Sequence, residues 1–229
     1  MTTAGPATDR VRLRRKPERG RYDRATIDAI LDEALVGHVG WVLDGQPYVT
    51  PVNTWRLGDR LYWHASAGSR MVRATRHGEP VCVTVALADG LVFARAAASH
   101  SMNFRSVMVL GSSHHVADER EKAHALDGLI DHLAPGRAAT VRPATAAELR
   151  KTAVLWIDLD EASAKIRSGG AIDEPGDLDW PAWAGVIPIS IVSSTPEASV
   201  DPATRHPCQA RPGRRSSART CLSTPDRPE

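Results

Sequence analysis

The sequence predicts a mainly β, α+β domain: an antiparallel barrel with helices inserted between and after its strands. About seven short strand-like runs, the turn dipeptides Asp44-Gly45 and Gly58-Asp59, and three helical segments with capping residues carry that prediction. The first helix starts at Asp23, a suitable N-cap, and repeats Ile27, Ile30, Leu31, Ala34 and Leu35 on one face, with Gly37 expected to end it. Strands follow at 38–43, 48–56 and 60–64, two successive hairpins of a meander. A short helix over Met71 to His77, closed by Gly78, precedes strands at 81–86 and 91–96 with a turn at Asp89-Gly90. A loop, Ser99 to Arg105, feeds the apolar run 107–116.

Asp118 opens a second long helix, with Ala123, Leu126, Leu129, Ile130 and Leu133 expected on its buried face and Pro135-Gly136 as its stop. Thr145 and Glu148 form a capping box for a further short helix, and strands are expected at 153–159 and near 163–167. Residues 1–22 read as a basic N-terminal arm, 23–189 as the domain, and 190–229 as a disordered tail. Six prolines and little apolar periodicity beyond residue 190 leave that tail too few buried contacts to offset its ordering entropy.

The formal charge of +2 lies in the tail, where six arginines face four acids. Residues 9–24 carry eight basic side chains against three acids, so residues 25–190 are net acidic, a poor electrostatic partner for nucleic acid. No run of about 18 apolar residues offers a membrane span, and the arginine-rich start is unlike a signal peptide, so a cytoplasmic location is expected. Cys82, Cys208 and Cys221 form no CxxC pair. The nine histidines include no HExxH, and no structural metal is expected. Serine-hydrolase, Rossmann and Walker signatures are absent as well.

Three stretches have chemistry to offer. In the first, the strand ending at Trp63-His64 runs through small residues into a helix start, where Ser66, Ser69 and Arg70 read either as a cradle for a phosphomonoester or as an ordinary turn with a surface arginine. The second, Asn103-Phe104-Arg105-Ser106, supplies an amide, an aromatic ring, a guanidinium and a hydroxyl suited to a flavin ring and its pyrimidine edge; alternatively Arg105 pairs with a surface acid. In the third, Thr50-Pro51-Val52-Asn53, proline interrupts a strand and marks either an edge with free backbone groups or an end to pairing.

The order of Thr50-Pro51, Trp63-His64, Ser69-Arg70, the run Phe104-Arg105-Ser106-Val107-Met108-Val109, Leu149 to Val154, and Asp179-Trp180-Pro181-Ala182-Trp183 resembles the nitroimidazole-reductase branch of the pyridoxamine 5'-phosphate oxidase-like family, over about residues 12 to 189. The resemblance implies a six-stranded FMN-binding split barrel, dimeric, with FMN in clefts between subunits. It places Thr50, Pro51, Val52, Asn53, His64, Ser66, Ser69, Arg70 and Met71 against ring and phosphate, and adds Asn103, Phe104, Arg105, Ser106 and the arm residue Trp183. Phe104 stands where tyrosine is familiar, which removes a hydroxyl.

His64 matches a histidine beside the flavin and is the expected proton donor. The activity so implied is an FMN-dependent oxidoreductase that takes electrons from a nicotinamide or another donor and passes them to a small organic acceptor. Two other readings stay open: a flavin-binding module without turnover, and a haem-handling split barrel with His100, His114 or His115 as axial ligand.

Overall fold

The computed structural model describes residues 5–194. Nine strands and four α-helices follow in chain order: β1 (Gly20–Arg21), α1 (Arg24–Glu33), β2 (Val36–Leu43), β3 (Gln46–Leu57), β4 (Arg60–Ser66), α2 (Arg70–Thr75), β5 (His77–Phe93), β6 (Ser101–His115), α3 (Glu119–Leu133), α4 (Ala146–Lys151), β7 (Thr152–Asp158), β8 (Ala162–Arg167) and β9 (Gly185–Pro188). Every strand pairing is antiparallel, and β6, β7, β4, β3, β2 and β5 close on themselves as a six-stranded ring. The ring closes on short contacts: three residue pairs join β2 to β5, and two join β6 to β7. The long β5–β6 hairpin runs beyond the ring and carries β8 with β1 on one side and β9 on the other. The fold is an antiparallel split barrel with flanking helices.

Local chemistry accounts for most boundaries. Asp23 accepts the Thr26 N–H at 2.9 Å and Asp118 the Glu121 N–H at 2.8 Å, so each long helix begins on the residue the sequence nominates. Thr145 and Glu148 make the reciprocal bonds of a capping box. Asp44 and Gly45 both have positive φ, which a two-residue hairpin of this hand requires.

Alternation then sorts the side chains. Leu61 and Trp63 of β4 point into the barrel with Val39, Val83, Val109, Leu155 and Ile157, while Tyr62 points outward to Trp55, Val154 and the α3 residues Ala125 and Leu129. Because α1 supplies Ile27, Ile30 and Leu31 to the first cluster and α3 covers the second, β4 is buried on both faces. Each wholly buried Leu or Ile contributes roughly 1.5–3 kcal/mol.

Several expectations need correction. Gly37 does not end α1, which stops at Glu33 with Ala34 as C-cap; it lies inside β2 opposite Val52, where the Thr54 side chain crosses its Cα. Asp89-Gly90 is no turn but a register shift within the continuous strand β5, since β6 pairs with both sides of it. Residues 101–105, expected in a loop, therefore begin β6.

The buried stripe of α3 is rotated from the expected one: Lys122, Ala125 and Leu129 are covered, and Leu133 is 44% exposed. Lys122 sits in the stripe because its stem packs while Nζ donates to the Leu149 carbonyl at 3.3 Å. The N-terminal arm packs on its own domain, burying Val11 and pairing Gly20–Arg21 with β8. Residues 195–229, most of the expected disordered tail, lie outside the described residues.

Candidate functional site

Strand β3 creates the site by being longer than its neighbour. β2 pairs with it from Gln46 to Asn53, but β4 pairs only with Thr54 to Leu57. The half containing Pro51 consequently has a neighbour on one side only, the arrangement in which a proline costs the sheet least. A cleft of about 560 Å³ opens there, bounded by Trp41 of β2, Thr50 to Asn53 of β3, His64 and Ala65 at the end of β4, and Ser69 to Met71 at the start of α2. That volume falls within the range of small-molecule and cofactor pockets.

Each wall is held by identifiable contacts. Trp41 stacks on Tyr48 with centroids 4.5 Å apart and donates from Nε1 to Thr50 Oγ1 at 3.0 Å. Asn53 Nδ2 donates to the Leu35 carbonyl at 3.3 Å. Met71 is buried beneath the cleft, and the Ser69 hydroxyl, as N-cap of α2, accepts the Val72 N–H at 3.2 Å.

Two polar groups have no such engagement. The exposed Arg70 guanidinium lies 5.7 Å from the Tyr48 ring and, among the described residues, ion-pairs with no carboxylate. His64 Nδ1 is buried without a hydrogen-bond partner, and burial lowers the pKa of the ring, so the imidazole is neutral near pH 7. A buried nitrogen lacking a partner beside a cleft, with an unpaired cation at the rim, suits a ligand with a hydrogen-bonding ring system and an anionic arm.

The cleft thus gathers Thr50, Pro51, Val52, Asn53, His64, Ser69, Arg70 and Met71. Ser66 falls just outside, paired with Thr152 of β7. Trp41 and Ala65 also line it; neither was singled out from sequence, although the chance of a Trp41–Tyr48 pair is visible once the Asp44-Gly45 hairpin fixes the register.

The remaining nominated residues sit elsewhere. Asn103 is buried, donating to Gly169 O at 3.1 Å and accepting from Arg167. Ser106 donates to Lys165 O at 3.3 Å, and Phe104 is half-buried opposite Ala88 and Arg167. Arg105 binds Asp89 at 2.7 and 2.9 Å and Glu33 at 2.5 and 2.9 Å; these carboxylates raise its pKa and occupy its fork.

Trp183, 64% exposed, lies against Gly185, which with Arg95, residues 170–173, Leu178 and Ala184 walls a second cavity of about 550 Å³. Phe93 lies 5.9 Å from the Trp183 ring and 5.7 Å, edge-on, from His100. His114 stacks on Trp156 at 4.2 Å, and His115 is half-buried with its pKa lowered by burial and by Lys122, Arg76 and His77. Neither lines either cavity.

Comparison with known proteins places this geometry. The chain is similar to the flavocytochrome Anf3 from Azotobacter vinelandii (40% identity, TM-score 0.83) over 92% of its length and all of that chain. It is similar to the FAD and haem binding protein from Mycobacterium smegmatis (33% identity, TM-score 0.78) over 82% of its length and 94% of that chain. A 5-nitroimidazole antibiotic resistance protein from Bacteroides thetaiotaomicron aligns at 28% identity and TM-score 0.54, over 64% of this chain and 86% of its own. No curated protein matches the sequence. The family model described as pyridoxamine 5'-phosphate oxidase matches residues 23–166, well over half the chain, and the protein accordingly belongs to the pyridoxamine 5'-phosphate oxidase-like family of flavin-binding split barrels.

Proposed function

We propose that the chain is a flavin-dependent oxidoreductase whose flavin occupies the cleft beside the open half of β3. The observation that carries this reading is the pairing, in one cleft, of the unpartnered His64 Nδ1 with the free Arg70 guanidinium. Arg70 would hold the ribityl phosphate, the open backbone of Thr50 to Asn53 would meet the ring, and Trp41 and Met71 would supply apolar walls. The flavin, when bound, supplies electron transfer from a nicotinamide or other donor to a small organic acceptor. The protein's part is to bind, to orient and to exclude water. His64, kept neutral by burial, offers a hydrogen bond to the ring edge rather than the proton of an imidazolium.

FMN carries the ring and the ribityl phosphate that this reading assigns to the cleft. FAD, named for the Mycobacterium smegmatis relative, shares the ribityl phosphate and extends it. Chromatography of the flavin released from purified protein separates the two. A homodimer is part of the proposal: Val42 and Val49 are 57% and 68% exposed on the strands flanking the cleft, and Trp180 and Ile187 of the C-terminal arm are 66% and 48% exposed. Sedimentation analysis tests it, a monomer at micromolar concentration counting against.

The resemblance to the flavocytochrome and to the FAD and haem binding protein supports haem as a second cofactor. The test of the flavin reading is Arg70→Ala. Flavin affinity should fall by about tenfold or more, the scale of one charge-assisted phosphate contact, with the urea midpoint unchanged. Equal loss of binding and stability, or unaltered affinity, would remove the cleft from consideration. Steady-state oxidation of NADH or NADPH, with and without a nitroimidazole acceptor, then separates turnover from passive flavin binding.

A further inference from the structure

Among the described residues three indoles are buried, those of Trp41, Trp55 and Trp63. The Nε1 of Trp55 and that of Trp63 meet no acceptor, whereas Trp41 Nε1 donates to Thr50 Oγ1 at 3.0 Å. Of the three, the indole that borders the cleft is thus the one with a hydrogen-bond partner. An indole N–H only donates, so Thr50 Oγ1 accepts with a lone pair and the hydroxyl keeps its own proton to give elsewhere. Thr50 makes no other side-chain hydrogen bond among the described residues, and it lines the cleft. The direction left for its proton is the cleft.

The indole has little freedom to turn. It is 5% exposed, belongs to the barrel's core cluster, and stacks on its cross-strand partner Tyr48 with planes 17° apart. A ring so held keeps Nε1 pointing one way. The Thr50 hydroxyl, which in an unpartnered threonine turns freely about its C–O bond, is thereby set with a lone pair toward Trp41.

Trp41 also stands behind Arg70, because the Tyr48 ring on which it stacks is the one 5.7 Å from that guanidinium. The two links use different parts of the indole and can be separated. Phenylalanine at position 41 keeps a ring for Tyr48 and loses the donor.

We propose that Trp41, beyond the apolar wall it provides, is a positioning residue that holds the Thr50 hydroxyl with its proton directed at an acceptor on the ring of the bound flavin. This rests on the flavin reading above. A fixed O–H beside the ring favours the electron-rich reduced flavin over the oxidised form, since more negative charge then lies on the acceptor. Its loss should lower the reduction potential.

The test is the midpoint potential of the flavin-loaded, full-length protein, freed of unbound flavin, for the wild type, Trp41→Phe, Thr50→Val, Thr50→Ser and the double variant combining Trp41→Phe with Thr50→Val. Thr50→Val should lower the potential and weaken flavin binding by about two- to tenfold, the scale of one neutral hydrogen bond. Trp41→Phe should shift the potential the same way and by no more, while Thr50→Ser, which keeps the hydroxyl, should hold the wild-type value. In the double variant Trp41→Phe should add nothing to Thr50→Val. A further drop there as large as in the wild-type background would overturn the inference, because the indole would then act through packing. A wild-type potential in either Trp41→Phe or Thr50→Val would overturn it equally and leave the flavin reading standing. Failure of the wild type to take up flavin would remove that reading, and this inference with it.

Discussion

Replacing Gly37 by alanine probes how the barrel is tied together beside the cleft. A methyl at that position would stand 2.5 Å from Thr54 Cγ2 and 3.0 Å from Thr54 Oγ1. Thr54 is 1% exposed and has no open space into which to swing. Overpacking of this kind costs about 1–3 kcal/mol, whereas alanine in place of glycine within a strand returns about 0.5–1 kcal/mol; a net loss of roughly 1–2 kcal/mol is expected. Thr54→Ala removes the obstructing methyl, worth about 0.8 kcal/mol of burial, together with a buried hydroxyl that has no partner, whose burial costs about 1–3 kcal/mol. That single variant should be close to neutral.

The double variant should then recover the stability of Thr54→Ala, giving a coupling of about 1–2 kcal/mol. Urea unfolding monitored by tryptophan fluorescence measures it, through midpoints at a constant slope. If Gly37 instead ended α1 in a left-handed conformation, its replacement would cost about 1 kcal/mol and Thr54→Ala would not rescue it. Additive costs in the cycle would therefore refute the packing argument.

Other outcomes follow from the same contacts. Arg105→Met leaves Glu33 and Asp89 facing each other at partly exposed positions and should destabilise by about 1–2 kcal/mol; its flavin content should match the wild type, the converse of Arg70→Ala. Asp118→Ala removes the N-cap of α3 and should lower stability by about 1 kcal/mol in urea unfolding.

Burial depresses the His64 pKa below its unfolded value of about 6.5, so the unfolded chain binds the proton more readily. The stability this residue contributes is full above that pH, and is lost as pH falls from there through the folded value. Thermal unfolding between pH 5 and 8, roughly the histidine range, should show a decline on the acid side that is shallower in His64→Gln. His115, shifted the same way, adds to the slope in both proteins.

What the sequence by itself determined is local. Caps at Asp23, Asp118 and Thr145, the Asp44-Gly45 hairpin and the alternation in β4 act within a few residues, where side-chain chemistry and backbone sterics suffice to set the structure. The cleft residues from Thr50 to Asn53 and from His64 to Met71 were also legible, because each group lies on one short stretch and carries a visible oddity: a proline inside a strand, or small residues before a helix.

Contacts between distant segments had to come from the tertiary structure. Gly37 looks like a helix stop until Thr54 is seen to cross it, and Asp89-Gly90 looks like a turn until β6 pairs on both sides. Arg105 finds a carboxylate in Glu33, 72 residues away in sequence. Such positions obey partners that sequence spacing does not reveal, since burial and ion pairing depend on which surfaces the closed ring brings together.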